Sequence, residues 1–240
     1  MMRGPSIAVA LVWLGIVPVH AETIHLTAVR DATLFEDIGG AIASGAGPTL
    51  FVGDNGSRIT RRALVAFDVA ASVPAGAHID HVELRMFMSN SPDTLALQSI
   101  FLLRARASWG EGTSNSAGGT GAFATPGDAT WKHRFFPDSL WAEEGGDFST
   151  VNSAVFVVGR LGSYGCSSAR MATDVQVWLD VPDSDFGWLL QGDEGTAGTA
   201  RRFDTHEHPD PSHWPVLIVE FTPTSLSPSG WGQVKQRFRD

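Results

Sequence analysis

The chain has 240 residues, 43% of them hydrophobic, with 26 acidic against 17 basic side chains, a formal net charge of −9 and a single cysteine. An acidic balance without basic runs argues against a nucleic-acid partner, whose phosphates need a basic face, and one thiol cannot close an internal disulfide. Stability must come from burial, which a chain of this size can supply in one domain.

The first stretch, MMRGPSIAVALVWLGIVPVHA, has one basic residue, Arg3, and an apolar run from Ile7 to Val19. At about 13 residues the run is shorter than the roughly 20 that span a bilayer. It reads as a signal peptide over 1–21 with cleavage after Ala21, small residues standing at Val19 and Ala21. The expectation is a secreted, cell-surface or periplasmic chain with no membrane span after leader removal. Cys166, the lone thiol, is expected to be an inert, partly buried residue.

From 22 to 222, short apolar or alternating runs are separated by Gly, Pro, Ser and Asn, the punctuation of an all-β domain. In order they are IHLTAV, TLFVG, RRALVAFDV, HVELRMFM, SIFLLRARA, AVFVVGR, FGWLLQG, RRFDT and PVLIVEF. Val82, Leu84, Met86 and Met88 share one face of the fourth run, while Glu83 and Arg85 point the other way. The same spacing puts Ala63, Val65, Phe67 and Val69 together, and sets Phe101, Leu103, Ala105 and Ala107 opposite Arg104 and Arg106. Roughly nine or ten such strands imply a two-sheet antiparallel β-sandwich of jelly-roll type. One segment has helical spacing: in MATDVQVWLDVP, Val175, Trp178 and Leu179 stand at i, i+3 and i+4, with Thr173 or Asp174 as cap and Pro182 as stop. Residues 111–128 are rich in Gly, Ser and Thr and read as a long surface loop. Basic charge gathers only at Arg58, Arg61 and Arg62, at Arg201 and Arg202, and in the tail 223–240, a Pro/Ser linker followed by the amphipathic WGQVKQRFRD.

Several of these pieces resemble the DNRLRE domains, a family of secreted β-sandwiches, some of which are described as carbohydrate-binding modules. TLFVG is similar to that family's early Leu-x-Val-Gly strand. RRALVAFDVAASVPAGAHIDHVELRMF resembles its central stretch, with Arg62, Phe67 and Asp68 followed by Pro-x-Gly-x-x-Ile. Trp109 and Glu111 in SWGEG, Thr130 and Trp131 in DATW, Asp174, Val175 and Trp178 in TDVQVW, Phe186 and Gly187, and Glu207 ahead of PVLIVEF continue the likeness. The resemblance implies a non-catalytic module for polysaccharide or cell-surface glycan, and makes Trp109 and Trp131 scaffold rather than ligand residues. Arg62, Phe67, Asp68, Trp109, Trp131, Trp178 and Glu207 are the expected structural positions, with Glu207 pairing inward against Arg62.

His133, Arg134, Phe135, Phe136 and Trp141 lie in a segment more apolar than a turn needs. They read either as a platform on which sugar rings stack or as a lid over the sandwich edge; Trp141 is expected to be exposed. DTHEHPDPSH brings His206 and His208 to one face if it is a strand, a pattern able to hold zinc or copper. Asp183 with Asp185, and Asp193 with Glu194, offer oxygens to a structural calcium. No cofactor is expected otherwise. Catalytic patterns are thin: no G-x-S-x-G is present, Cys166 has no histidine nearby in sequence, and Tyr164 is the single tyrosine. The reading is therefore a monomeric binding module; a structural or adhesive module without a sugar ligand, and a polysaccharide hydrolase or lyase, are the alternatives.

Overall fold

Each alternating run named above becomes an antiparallel strand in the computed structural model, which describes residues 20–224 except Ala117. Most of the expected leader (1–19) and the amphipathic tail (225–240) lie outside the described residues. The chain first forms β1 (Glu22–Thr27), β2 (Arg30–Phe35), β3 (Ile42–Ser44), β4 (Thr49–Asp54) and β5 (Thr60–Ala66). The long β6 (His78–Asn90) and β7 (Gln98–Ala105) follow, then the short β8 (Ala122–Phe123), β9 (His133–Phe135) and β10 (Ser139–Leu140). Last come β11 (Phe148–Val158), β12 (Gly162–Ser167), α1 (Ala169–Asp180), β13 (Trp188–Gln191), β14 (Arg201–Asp204) and β15 (Val216–Thr222). No helix among the described residues is long and apolar enough to cross a membrane.

The architecture is all-β, with two antiparallel sheets packed face to face. In the first sheet β6 has β12 on one side and β15 followed by β14 on the other, with β1 beyond β15 and β4 beyond β14. The second sheet runs β3, β2, β5, β13, β7, β11. Strand β4 belongs to both. Residues 49–52 pair with β14, after which Gly53 and Asp54 pair with β5. Gly53 makes that switch with φ of 100°, a conformation open to glycine. Asn55 then closes the hairpin, its side-chain oxygen accepting the N–H groups of Ser57 and Ile59.

The main core lies between the sheets. Val82, Leu84, Met86 and Met88 face Ala63, Val65, Phe67, Ile100 and Leu102 there, as period-two geometry requires. Helix α1 closes one end. Its N-cap is Ser168, which accepts from Met171 N, rather than the expected Thr173 or Asp174, because the helix begins a turn earlier. Asp174 is instead buried, taking hydrogen bonds from the Trp188 indole at 3.1 Å and from Ser153 Oγ. Trp178 is fully buried and packs edge-on against Trp188, ring centroids 4.4 Å apart. Cys166 is buried and free, as expected; burial pushes its thiol up to about 12.

The second sheet departs from the one-faced pattern. Leu64 and Ala66 of β5, Leu189 of β13, Leu103 of β7 and Leu34 of β2 form a second core on its outer face. Residues 106–147 cover that face with Trp109, Trp131 and Trp141. The 111–128 segment is part of this cover and not the free surface loop its composition suggests. Asp128, fully buried, accepts from Thr125 N at 2.5 Å and Ser114 N at 3.2 Å, and so ties the two ends of the segment together. Gly112 makes the approach possible, since a Cβ there would stand 1.7 Å from Asp128 Oδ1.

Trp141 is 6% exposed and its indole donates to Thr130 O at 2.9 Å, which overturns its expected exposure. The bare face of the second sheet needs large apolar groups, and Trp141 is one of the three that serve. Trp178→Ala and Trp141→Ala are therefore both expected to cost about 3–5 kcal/mol, one by a cavity between the sheets and the other by loosening the cover. Urea denaturation of the two variants checks this.

Candidate functional site

Two places in the fold gather the side chains that carry chemistry. The first is the outer surface of the cover, where the β9–β10 hairpin presents His133, Arg134, Phe135 and Phe136, all partly exposed. Arg134 donates to Ser108 Oγ at 3.0 Å and lies over the Phe135 ring at 5.5 Å. His133 Nδ1 sits 3.2 Å from the Gly40 carbonyl, and Phe136 meets the His133 ring edge-on at 5.1 Å. Next along the same segment, Ile42 pairs with Phe123 of β8 and Ala41 O accepts from Ala124 N. Phe123 is 84% exposed. Its signal in the sequence was a lone Phe among Gly, Ser and Thr, where no core can form. Of the expected platform, Trp141 drops out and Phe123 enters.

The second place is the connection from β14 to β15, the DTHEHPDPSH stretch. A turn over 205–208 and a second turn led by Pro211, not a strand, carry it, so His206 and His208 do not share a face; each joins a separate group of donors. His206 is clamped between carboxylates, with Nδ1 2.9 Å from Asp31 Oδ2 and Nε2 3.0 Å from Glu207 Oε1. Glu111 completes the group at 3.8 Å from Nδ1 and accepts from the Asp31 backbone N–H. Asp31 comes from the second sheet, Glu111 from the cover and His206 from the first sheet's connection, so this group joins all three layers. Burial pushes the Asp31 carboxyl up to about 6 and the Glu111 carboxyl up to about 7, in each case partly offset by bonds that favour the charged form. Burial works against the His206 charge too, yet the bonds to Asp31 and Glu207 prevail and hold the imidazolium up to about 10.

On the other side of the same connection, Asp204, His208 and His213 converge. Asp204 Oδ2 is 2.8 Å from His213 Nδ1 and 3.6 Å from His208 Nε2, and Asp204 Oδ1 accepts from Ser89 Oγ at 2.5 Å. His213 stacks on Phe87 with ring centroids 3.6 Å apart and planes 8° from parallel. Sequence spacing drew attention to His206 and His208; Asp31, Ser89 and Phe87 are supplied by distant strands and Glu111 by the cover.

Other expected positions hold different partners. Arg62 does not meet Glu207; it forms a bidentate pair with Glu194 at 2.7 and 2.8 Å and lies over the Trp131 ring at 4.8 Å. Glu207 is taken by His206. Asp68 is exposed and outside the core, where its carboxylate accepts from Ala71 N and caps a turn. Phe67, Trp109, Trp131 and Trp178 are all buried. Asp193 turns back onto Gly195 N, and both oxygens of Glu194 are occupied by Arg62 and Gln191. Asp183 is exposed, while burial pushes Asp185 up to about 7. None of these four belongs to a group of three or more donors among the described residues. Arg61 and Arg201 make no basic patch, being buried with their guanidinium groups on carbonyls: Gly119 and Ile59 for the first, Thr199, Ala200, Asp93 and Ala96 for the second.

Compared with known proteins, the chain matches no family model, and no curated protein is similar to it. His206→Ala leaves Asp31, Glu111 and Glu207 without their shared cation, and the expected cost is about 3–5 kcal/mol. A double-mutant cycle with Asp31→Asn, followed by denaturation, is expected to be strongly non-additive, because the two residues form one network.

Proposed function

We propose that the chain is an exported, non-catalytic module that binds an extracellular or cell-surface polysaccharide through the outer surface of its cover. The carrying observation is Phe123, a large aromatic 84% exposed on a layer whose three tryptophans are buried. It sits beside Ile42, and the His133–Phe136 pair meets the same segment at Gly40. Aromatic faces stack on the CH faces of sugar rings. Because the segments beneath are pinned by Asp128, Trp109 and Trp141, little ordering entropy is lost on binding. Arg134 beside Phe135 adds a donor for ring hydroxyls or sugar carboxylates.

The likeness to DNRLRE domains supports the same reading, since its residues stand at structural joints: Gly53 at the sheet-to-sheet bend, Trp109 and Trp131 in the cover, Trp178 between the sheets. The leader-like first 21 residues support export. An adhesive role without a sugar ligand has its own observation, the exposed Val151, Val155 and Val157 on edge strand β11.

Retention on a panel of insoluble and gelled polysaccharides, with reducing-sugar release assayed in parallel, tests the proposal. Phe123→Ala and Phe136→Ala are each expected to weaken retention about tenfold, the loss of roughly one stacking contact. Phe123→Ala should leave the melting temperature unchanged. Sugar release abolished by removing one carboxylate would establish an enzyme instead, and no retention on any polymer would favour adhesion.

A further inference from the structure

We propose that Asp204, His208 and His213 form a binding site for a zinc-type divalent cation. One carboxylate and two imidazoles make a donor set that suits borderline ions such as zinc, whereas calcium and magnesium take oxygen ligands. The three donor atoms lie within 4.8 Å of one another. Around a tetrahedral zinc, donors at about 2.0–2.1 Å from the metal stand about 3.3 Å apart. Here the Asp204 oxygen is 2.8 Å from one imidazole nitrogen and 3.6 Å from the other, which brackets that spacing, and the two imidazole nitrogens, within 4.8 Å of each other, close onto the ion as it binds.

The groups behind these donors hold them in place. Ser89 Oγ donates to Asp204 Oδ1 and in turn accepts from Arg202 Nε at 3.0 Å, which leaves Oδ2 turned toward the imidazoles. Phe87 fixes the plane of His213, and the Trp214 indole donates to His208 O at 2.7 Å. Asp210 stands behind both rings, its carboxylate 3.9 Å from His213 Nε2 and its backbone against His208 Nδ1. Ligating histidines commonly carry such a partner on the second ring nitrogen. Asp204 is 1% exposed while the histidine side chains are 22% and 26% exposed, so an ion can enter from solvent onto a buried carboxylate. Three protein donors leave a fourth position for water or for a ligand's own donor. The neighbouring Asp31 group differs: both nitrogens of its only imidazole, His206, already face carboxylates at hydrogen-bonding distance, so the ring is itself the cation there.

The test uses the full chain, freed of metal with a chelator and titrated with Co²⁺ as a spectroscopic stand-in, then with Zn²⁺ in competition. Expected are saturable uptake of one ion per chain, tetrahedral Co²⁺ absorption bands, and loss of affinity of at least tenfold in His208→Ala, His213→Ala and Asp204→Asn, with His206→Ala retaining uptake. X-ray absorption of the zinc-loaded wild type gives a readout that does not depend on how any variant folds, and two imidazoles in the first shell are expected. No saturable uptake, unchanged affinity in both His208→Ala and His213→Ala, or a first shell with fewer than two imidazoles overturns the proposal; the last, together with loss in His206→Ala, would place the ion at Asp31.

Discussion

Strand β5 is apolar on both faces from Ala63 to Ala66, and much of the architecture answers to that constraint. Ala63 and Val65 point into the space between the sheets while Leu64 and Ala66 point out of it, and β13, β7 and β2 continue the same outer surface with Leu189, Leu103 and Leu34. Left in water, each leucine would forfeit about 1.5–3 kcal/mol of burial. A two-layer sandwich cannot bury both sides of one sheet, so the chain lays a third layer over it. That layer has little regular structure, and its stability comes from three tryptophans and from hydrogen bonds at its base.

The arginines of an acidic chain serve this construction. Arg30 lies over Trp109, 4.7 Å from the ring, and donates to its carbonyl; Arg62 lies over Trp131, holds Gly145 O and pairs with Glu194. Arg61 reaches Gly119 O, and Arg201 gathers carbonyls from the 91–97 loop. A planar guanidinium can stack on an aromatic ring and still donate sideways to carbonyls, which a lysine ammonium cannot do. These cations are directed inward, onto rings and carbonyls of the fold.

The outer face of the first sheet is covered differently. Phe87 and Ser89 project from β6, and Arg202 and Asp204 from β14, beneath the turns that lead to β15. Those turns are short and rich in proline, and the layer they form is polar, built on histidine and carboxylate. The molecule thus carries an aromatic surface on one side and a histidine-carboxylate surface on the other, with Asp31, Glu111 and His206 joining the two near β2. Both surfaces stand on irregular backbone held by a rigid sheet, which leaves their side chains free to contact other molecules.

Period-two spacing was enough to place the strands from β4 to β7 and the inward face of β6, and i, i+3, i+4 spacing located α1, because these patterns report local geometry. The same logic assigned one face to β5 and β7, and it missed β2, β3 and β12, where both faces are covered or residues are small. Trp178 was legible as core through its helical spacing, and Trp109 and Trp131 through a resemblance of motifs. Trp141 was not, since an aromatic in a loop has the same local context whether it stacks on a ligand or fills a gap. Nor could spacing pair Arg62 with Glu194, or bring Ser89 and Phe87 to Asp204 and His213, since those contacts form between strands far apart in the chain. The sequence by itself determined the longer alternating strands and that their apolar faces must be buried. Only the tertiary structure decided which face the tryptophans cover and which carboxylate each histidine meets, because both depend on how the two sheets and the cover lie against one another.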